Sequence, residues 1–263
     1  MKKYRVKIFT AFFMVGLFLS MISGMVQARM PGEENVVFRS MREVKENSSS
    51  AGDATQPATP NSLVSRLSSN NVPFVLDDGS NDNNIGASSK EFIFLNRFTP
   101  LSFVFPFQLE EIQVYFSSDG FVNIGDDILL VVYENILGDV DPSTGSNFLE
   151  SYPAKVEVLD DWNSYFLDWP LTLNGPGDVI IGVIALERPE GSYYPAALDE
   201  SRSKQRSWAG VWISSPPPEV PNLPPDESWT MMDDVLLPGN WMIRGYGTTD
   251  ITIQSVYMPV VLR

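Results

Sequence analysis

Short apolar runs separated by turn-forming residues dominate the chain, and two of them are apolar on both alternating faces. Asp126–Glu134 reads Asp-Asp-Ile-Leu-Leu-Val-Val-Tyr-Glu, and Asp178–Leu186 reads Asp-Val-Ile-Ile-Gly-Val-Ile-Ala-Leu. Both have strand length and are rich in β-branched residues, so they predict central strands covered on both sides. Their neighbours alternate instead. In Glu110–Phe116, Ile112, Val114 and Phe116 fall on one face, and Gln113 and Tyr115 on the other. Further strands are expected at Glu91–Phe98, Ala154–Leu159, Ser164–Asp168, Ser207–Ile213 and Trp241–Tyr246, with an unambiguous turn at Asn174–Gly177. A count of about nine strands with no long helical pattern between them predicts an all-β fold, a two-sheet antiparallel β-sandwich of jelly-roll type. Its core is expected to include Ile128, Leu130, Val132, Ile180 and Val183.

The ends of the chain read differently. Met1–Lys7 is basic, Ile8–Leu19 is apolar, and Val26-Gln27-Ala28 has small residues at the cleavage positions. Residues 1–28 are therefore read as a secretory signal peptide, which leaves no membrane segment after cleavage. Residues 29–71 are read as a flexible low-complexity linker, because the Ser/Ala/Thr/Pro tract at 47–62 has no face to bury. The sandwich is placed at 72–247, and 248–263 is a tail or last strand. Ser215–Asp226 holds a dense set of prolines and is expected to be stiff, extended and on the surface.

Composition removes several chemistries. The 263 residues include no cysteine and no histidine, which excludes disulfides, cysteine nucleophiles, a Ser-His-Asp triad and the common zinc sites. The net charge of −15 repels phosphate backbones, so nucleic acid is not an expected partner. No obligate cofactor is expected. Structural calcium stays open, because Asp77, Asp78 and Asp82 lie in one cluster of turn residues (77–86) and Asp139 and Asp141 in another (138–145). The same residues are ordinary turn formers, and neither cluster has the alternation of an EF-hand loop.

The stretches Leu76–Ser80, Leu95–Pro100, Val122–Asp126, Leu173–Val179, Arg206-Ser207-Trp208 and Gly239–Gly245, in this order, resemble a β-sandwich module of large secreted bacterial proteins, often found beside subtilisin-like protease domains. The resemblance spans about 75–247 and implies an accessory domain without a catalytic role. Three functions remain in view. One is an extracellular module binding glycan or a cell-surface component. The second is a structural spacer of the cell surface, and the third a secreted glycoside hydrolase using carboxylates. The adjacent acids Asp126/Asp127, Asp160/Asp161 and Asp233/Asp234 do not by themselves form a hydrolase pair, since neighbours on a strand point to opposite faces.

The sharpest candidate site is aromatic. Alternation in Ser207–Ile213 puts Ala209, Val211 and Ile213 on one side and Trp208, Gly210 and Trp212 on the other. Trp208 and Trp212, with Tyr193 and Tyr194 as a wall, could stack the apolar face of a sugar. The competing reading buries both indoles under the proline-rich loop that follows them.

One expectation belongs to the N-terminus. Intact-mass measurement of the exported protein should give a chain beginning at Arg29, whereas a mass retaining Met1 in a membrane fraction would contradict the signal-peptide reading.

Overall fold

The two doubly apolar runs are adjacent strands. A computed structural model describes residues 38–41, 71–87, 91–186, 193–214 and 216–249. In it Asp127–Asn135 and Asp178–Ala185 pair antiparallel, with Leu130 opposite Val183 and Val132 opposite Ile181. Fourteen strands are described. In chain order, β1 is Phe38–Ser40, β2 Asn71–Phe74, β3 Asn83–Ala87, β4 Phe92–Phe98 and β5 Phe107–Phe116. Then come β6 Asp127–Asn135, β7 Asn147–Lys155, β8 Asp161–Leu173, β9 Asp178–Ala185 and β10 Ala196–Asp199. The last are β11 Ser207–Val211, β12 Ser228–Met231, β13 Asn240–Trp241 and β14 Ile243–Thr249. Residues 1–28, read above as a signal peptide, most of 29–71, read as a linker, and the residues after Thr249 lie outside the described set.

The fold is an all-β sandwich. One layer is a six-stranded sheet, β12-β11-β4-β9-β6-β7. The other layer is made of two four-stranded sheets, β1-β3-β10-β13 and β2-β14-β5-β8, rather than the single sheet expected. Side chains from all three sheets meet in one core, among them Leu130, Val132, Ile181 and Val183 facing Ile112, Val114, Phe107, Leu198 and Trp241. Interdigitated inner faces of this kind are what hold a sandwich together.

The six-stranded sheet is covered on its outer face too. Ile93, Leu95, Val131, Tyr133, Ile180 and Ile184 form a second buried cluster there, with Trp208, Trp212 and the partly buried Leu223. Tyr133 donates its hydroxyl to the Pro221 carbonyl at 2.6 Å, which ties the proline-rich loop down over this face. Two-sided cover is the physical reason that β6 and β9 are apolar without alternation. Of the five residues expected in the core, all are buried; Ile180 belongs to the outer cluster and the other four to the inner one.

Polar side chains tie the strands together, and those of Asn96 and Ser207 also join the layers. Asn96 on β4 donates to the carbonyls of Trp241 (2.8 Å) and Ile243 (3.2 Å), where the chain leaves one four-stranded sheet for the other. Ser207 donates to Asn96 at 2.8 Å and accepts from the Trp241 N–H at 3.1 Å. Arg97 forms a buried ion pair with Asp178 at 2.8 Å, and Thr99 bridges Asp178 to Arg206. Arg244 is ion-paired with buried Asp77 through both Nε and Nη2 and lies 3.8 Å from the centre of the Trp162 ring. A lone arginine in an apolar strand requires such a partner.

Several expectations need correction. Phe38–Ser40 falls within the stretch read as linker, yet it pairs with Ala87, Gly86 and Ile85 of β3. The turn cluster at 77–86 is a turn only in its first part. Asn83 and Asn84 are buried inside β3, where Asn83 accepts from Ser40 and donates to Glu200, so its side chain is satisfied within the sheet. The strand expected at 154–159 is centred earlier, at Asn147–Lys155. Ile213, expected on the core side of its strand, lies beyond the end of β11 and is exposed.

Two stability outcomes follow. Leu130→Ala should cost about 2–5 kcal/mol in urea unfolding, because the cavity would sit between tightly packed layers. Asp77→Ala should cost about 3–5 kcal/mol by leaving the Arg244 guanidinium buried and unpaired, and the double change to Asp77→Leu with Arg244→Met should recover much of that loss.

Candidate functional site: the outer face of the four-stranded sheet

Trp208 and Trp212 do not form an open platform. They are 7% and 4% exposed, and Trp208 stacks on Trp229 with ring centres 5.3 Å apart and 17° between planes. Gly210 between them is not bare. A β-carbon there would lie 2.7 Å from Pro225 Cγ, 2.8 Å from the Ser228 carbonyl oxygen and 2.9 Å from Trp229 Cε3. The proline-rich loop and β12 therefore close over the pair, as the competing reading had it. Tyr193 and Tyr194 lie elsewhere. Tyr194 donates its N–H to the Gly120 carbonyl at 2.8 Å and its ring lies 6.3 Å from that of Phe121, while Tyr193 packs on the inner core. The four residues thus do not meet at one surface.

Four of the five acids considered for calcium have their carboxylates engaged by the chain itself. Asp77 holds Arg244 and accepts from the Gly79 N–H; Asp78 accepts from the Ser80 N–H. That backbone bond to Ser80 is the main cause that draws the Asp78 carboxyl below its ordinary pKa. Asp82 accepts from the Glu200 N–H, and Asp141 from Ser143 N–H and from the Trp229 indole at 2.9 Å. Asp139 offers its carbonyl to Arg97. Among the described residues, no group of three acids converges in a metal-holding arrangement. The adjacent acid pairs are placed similarly. Asp126 accepts from the Asn123 N–H, Asp127 pairs with Lys155, Asp160 accepts from the Ser118 N–H, and Asp233 accepts from Ser203.

A different surface combines aromatic and hydrogen-bonding groups. In the sheet β2-β14-β5-β8, Tyr115 stands opposite Trp162, Gln113 opposite Ser164, and Glu111 opposite Phe166. On the other side of β5, Arg244 stands opposite Gln113 and Tyr246 opposite Glu111. The alternate residues Ile112, Val114, Phe116, Tyr165 and Ile243 fill the inner core, so this register puts all the others on the outer face. Neither apolar cluster includes Tyr115, Trp162, Phe166 or Tyr246.

The face is built as rows. Tyr115 and Trp162 meet edge to face, with centres 5.8 Å apart at 72°. Gln113 donates to Glu111 at 2.8 Å and to Ser164 at 3.1 Å, so its amide is held over the outer face between its neighbours. Phe166 is 61% exposed. Just beyond it, β8 departs from its partner: the register jumps from Glu111–Phe166 to Leu109–Leu171, so residues 167–170 bulge from the edge of the sheet. Trp169 on that bulge is 84% exposed. Phe166 and Trp169 thus present aromatic surface to solvent on the same edge strand.

Electrostatics follow from the same neighbours. Burial is the main cause that raises the Tyr115 phenol above its ordinary pKa, helped by the charges of Asp160 and Asp161, so it remains a neutral donor. Burial alone would pull Arg244 down, but the hydrogen bond and charge of Asp77, with Tyr246 beside them, raise it and keep it charged. The alternation of Trp162, Ser164 and Phe166 was present in the sequence. It was obscured because Asn163, Tyr165 and Leu167 on the other face are just as bulky.

No protein-family model matches the chain, and no curated protein matches it. Among solved structures it is similar to the clostridial cysteine protease Cwp84 after propeptide cleavage, with a TM-score of 0.50 and 13% identity, over 70% of this chain and 42% of that one. A structure of the cysteine protease and lectin-like domains of Cwp84, a surface layer associated protein of Clostridium difficile, aligns with a TM-score of 0.46 and 14% identity, over 70% of this chain and 37% of that one. This chain spans less than half the length of these neighbours, and at this identity the likeness is one of fold. The first neighbour is named as a cysteine protease, not a subtilisin-like one.

Burial of the two indoles makes a definite demand. Trp208→Ala and Trp212→Ala should each lower stability by about 3–5 kcal/mol in chemical denaturation. A loss under about half a kcal/mol for both would mean that the loop does not cover them.

Proposed function

We propose that this chain is an exported, non-catalytic accessory module that binds glycan through the outer face of β2-β14-β5-β8. The observation that carries the reading is the register of Tyr115, Gln113, Trp162, Ser164 and Phe166 across two neighbouring strands. Trp162 and Phe166 are four residues apart on β8, about 13 Å from the rise of a strand. Their rings can take the apolar faces of an extended saccharide, while the Gln113 amide and the Ser164 and Tyr115 hydroxyls between them exchange hydrogen bonds with its hydroxyls. A rigid sheet holds these groups before the ligand arrives, which lowers the ordering cost of binding. Export rests on the basic and apolar pattern of residues 1–19 and the small residues before Arg29. Among the described residues, no helix is long and apolar enough to cross a membrane.

A glycan array tests this reading with full-length protein, Phe166→Ala and Trp169→Ala. Both side chains are largely exposed, so their removal should leave the melting temperature within about one degree. Affinity for the bound glycan should fall at least about tenfold. A blank array would favour the spacer function, and release of reducing ends from a polysaccharide would favour a hydrolase. Unchanged affinity in both variants would move the binding site off this face.

A further inference from the structure

We propose that the glycan taken by this face carries protonated amines, as a de-N-acetylated hexosamine polymer does, and that uronate- or phosphate-bearing polymers are turned away. The inference rests on the binding face proposed above and adds the charge of its ligand. The four strands of the sheet carry four acids, Glu110, Glu111, Asp161 and Asp168, and a single basic residue, Arg244. That arginine is already neutralised. Its guanidinium is engaged by the buried Asp77 carboxylate and covered by the Trp162 ring, and the residue is 9% exposed. An anionic sugar arriving here would lose water and find no cation to replace it.

An ammonium finds the opposite. Asp168 is exposed on the bulge of the edge strand, two residues from Phe166 and next to Trp169, while Asp161, which alternates to the other face from Trp162, is exposed at the start of the same strand. Trp162 already holds Arg244 against one face, so the ring surface that can attract a further cation is that of the exposed Phe166. Asp160, beside Asp161, contributes to the same field, which is felt at the Tyr115 phenol. A sugar stacked on the rings through its apolar side would thus present its amine to the Asp168 carboxylate and to the field of Asp160 and Asp161, which no basic side chain of these strands neutralises.

The protein is acidic overall, with a net charge of −15, so the test must separate local recognition from general attraction. Calorimetry at 0.15 M salt with full-length protein would compare a soluble glucosamine oligomer, its N-acetylated counterpart and a uronic-acid oligomer. The glucosamine oligomer should bind at least about tenfold more tightly than the N-acetylated one, and the uronate should not bind. Phe166→Ala, and Asp161→Asn combined with Asp168→Asn, should each weaken it about tenfold. Glu150→Gln, an exposed acid on β7 in the other layer, should leave it unchanged. Equal or tighter binding of the N-acetylated oligomer, still lost in Phe166→Ala, would overturn the amine requirement and leave the binding face standing. Glucosamine binding that ignores the face variants, or falls equally with Glu150→Gln, would reduce the effect to diffuse attraction and overturn the inference. Binding of none of the three would overturn it as well, while the wider array would still decide the face.

Discussion

The architecture depends on how the chain crosses from one four-stranded sheet to the other at Trp241–Ile243. A strand that switches sheets must leave backbone groups without ladder partners, and buried carbonyls left that way are costly. Asn96, from the opposite layer, supplies two donors to the carbonyls on either side of Met242. Met242 itself donates to the Ala197 carbonyl on one side and accepts from the Tyr115 N–H on the other. Ser207 completes the arrangement by accepting from the Trp241 N–H. The crossing thereby fixes β13 in one sheet, β14 in the next, and both against the six-stranded layer. β14 then sets the register of β5, and β5 that of β8, so the aromatic row of the outer face inherits its geometry from this buried amide.

The same logic explains which faces are closed. The six-stranded sheet has apolar side chains on both sides, and the chain supplies its own cover in the proline-rich loop and in β12. Once Trp208 and Trp229 are stacked and Tyr133 is bonded to Pro221, the indoles contribute to stability and leave no opening between them. The sheet β2-β14-β5-β8 is built differently. Its outer residues mix rings with amides, hydroxyls and acids, a composition that favours contact with a polar ligand over burial against another layer.

The central strands were legible in the sequence because two-sided burial leaves a signature that solvent-facing strands lack. Arg244 was legible because a lone charge in an apolar strand demands a partner, although its partner Asp77, 167 residues away in sequence, could not be named. Short strands were not legible. β1, β10 and β13 have two to four residues each, too few for a period to show, and β3 begins with two asparagines that locally favour a turn. The aromatic candidates illustrate the limit most clearly. Trp208 and Trp212 alternate as a platform would, and whether such a pair is open depends on a loop whose path periodicity does not encode. Trp162 and Phe166 sit in a strand that is bulky on both sides, so alternation could not say which face is buried.

The claim that the outer face of β2-β14-β5-β8 is the ligand surface is tested most directly by hydrogen–deuterium exchange with and without a bound glycan. The account predicts slowed exchange confined to β8, including the bulge at 167–170, and to the facing parts of β5 and β14, with β11, β12 and the proline-rich loop unchanged. Protection centred on Trp208–Trp229 with β8 unaffected would contradict it.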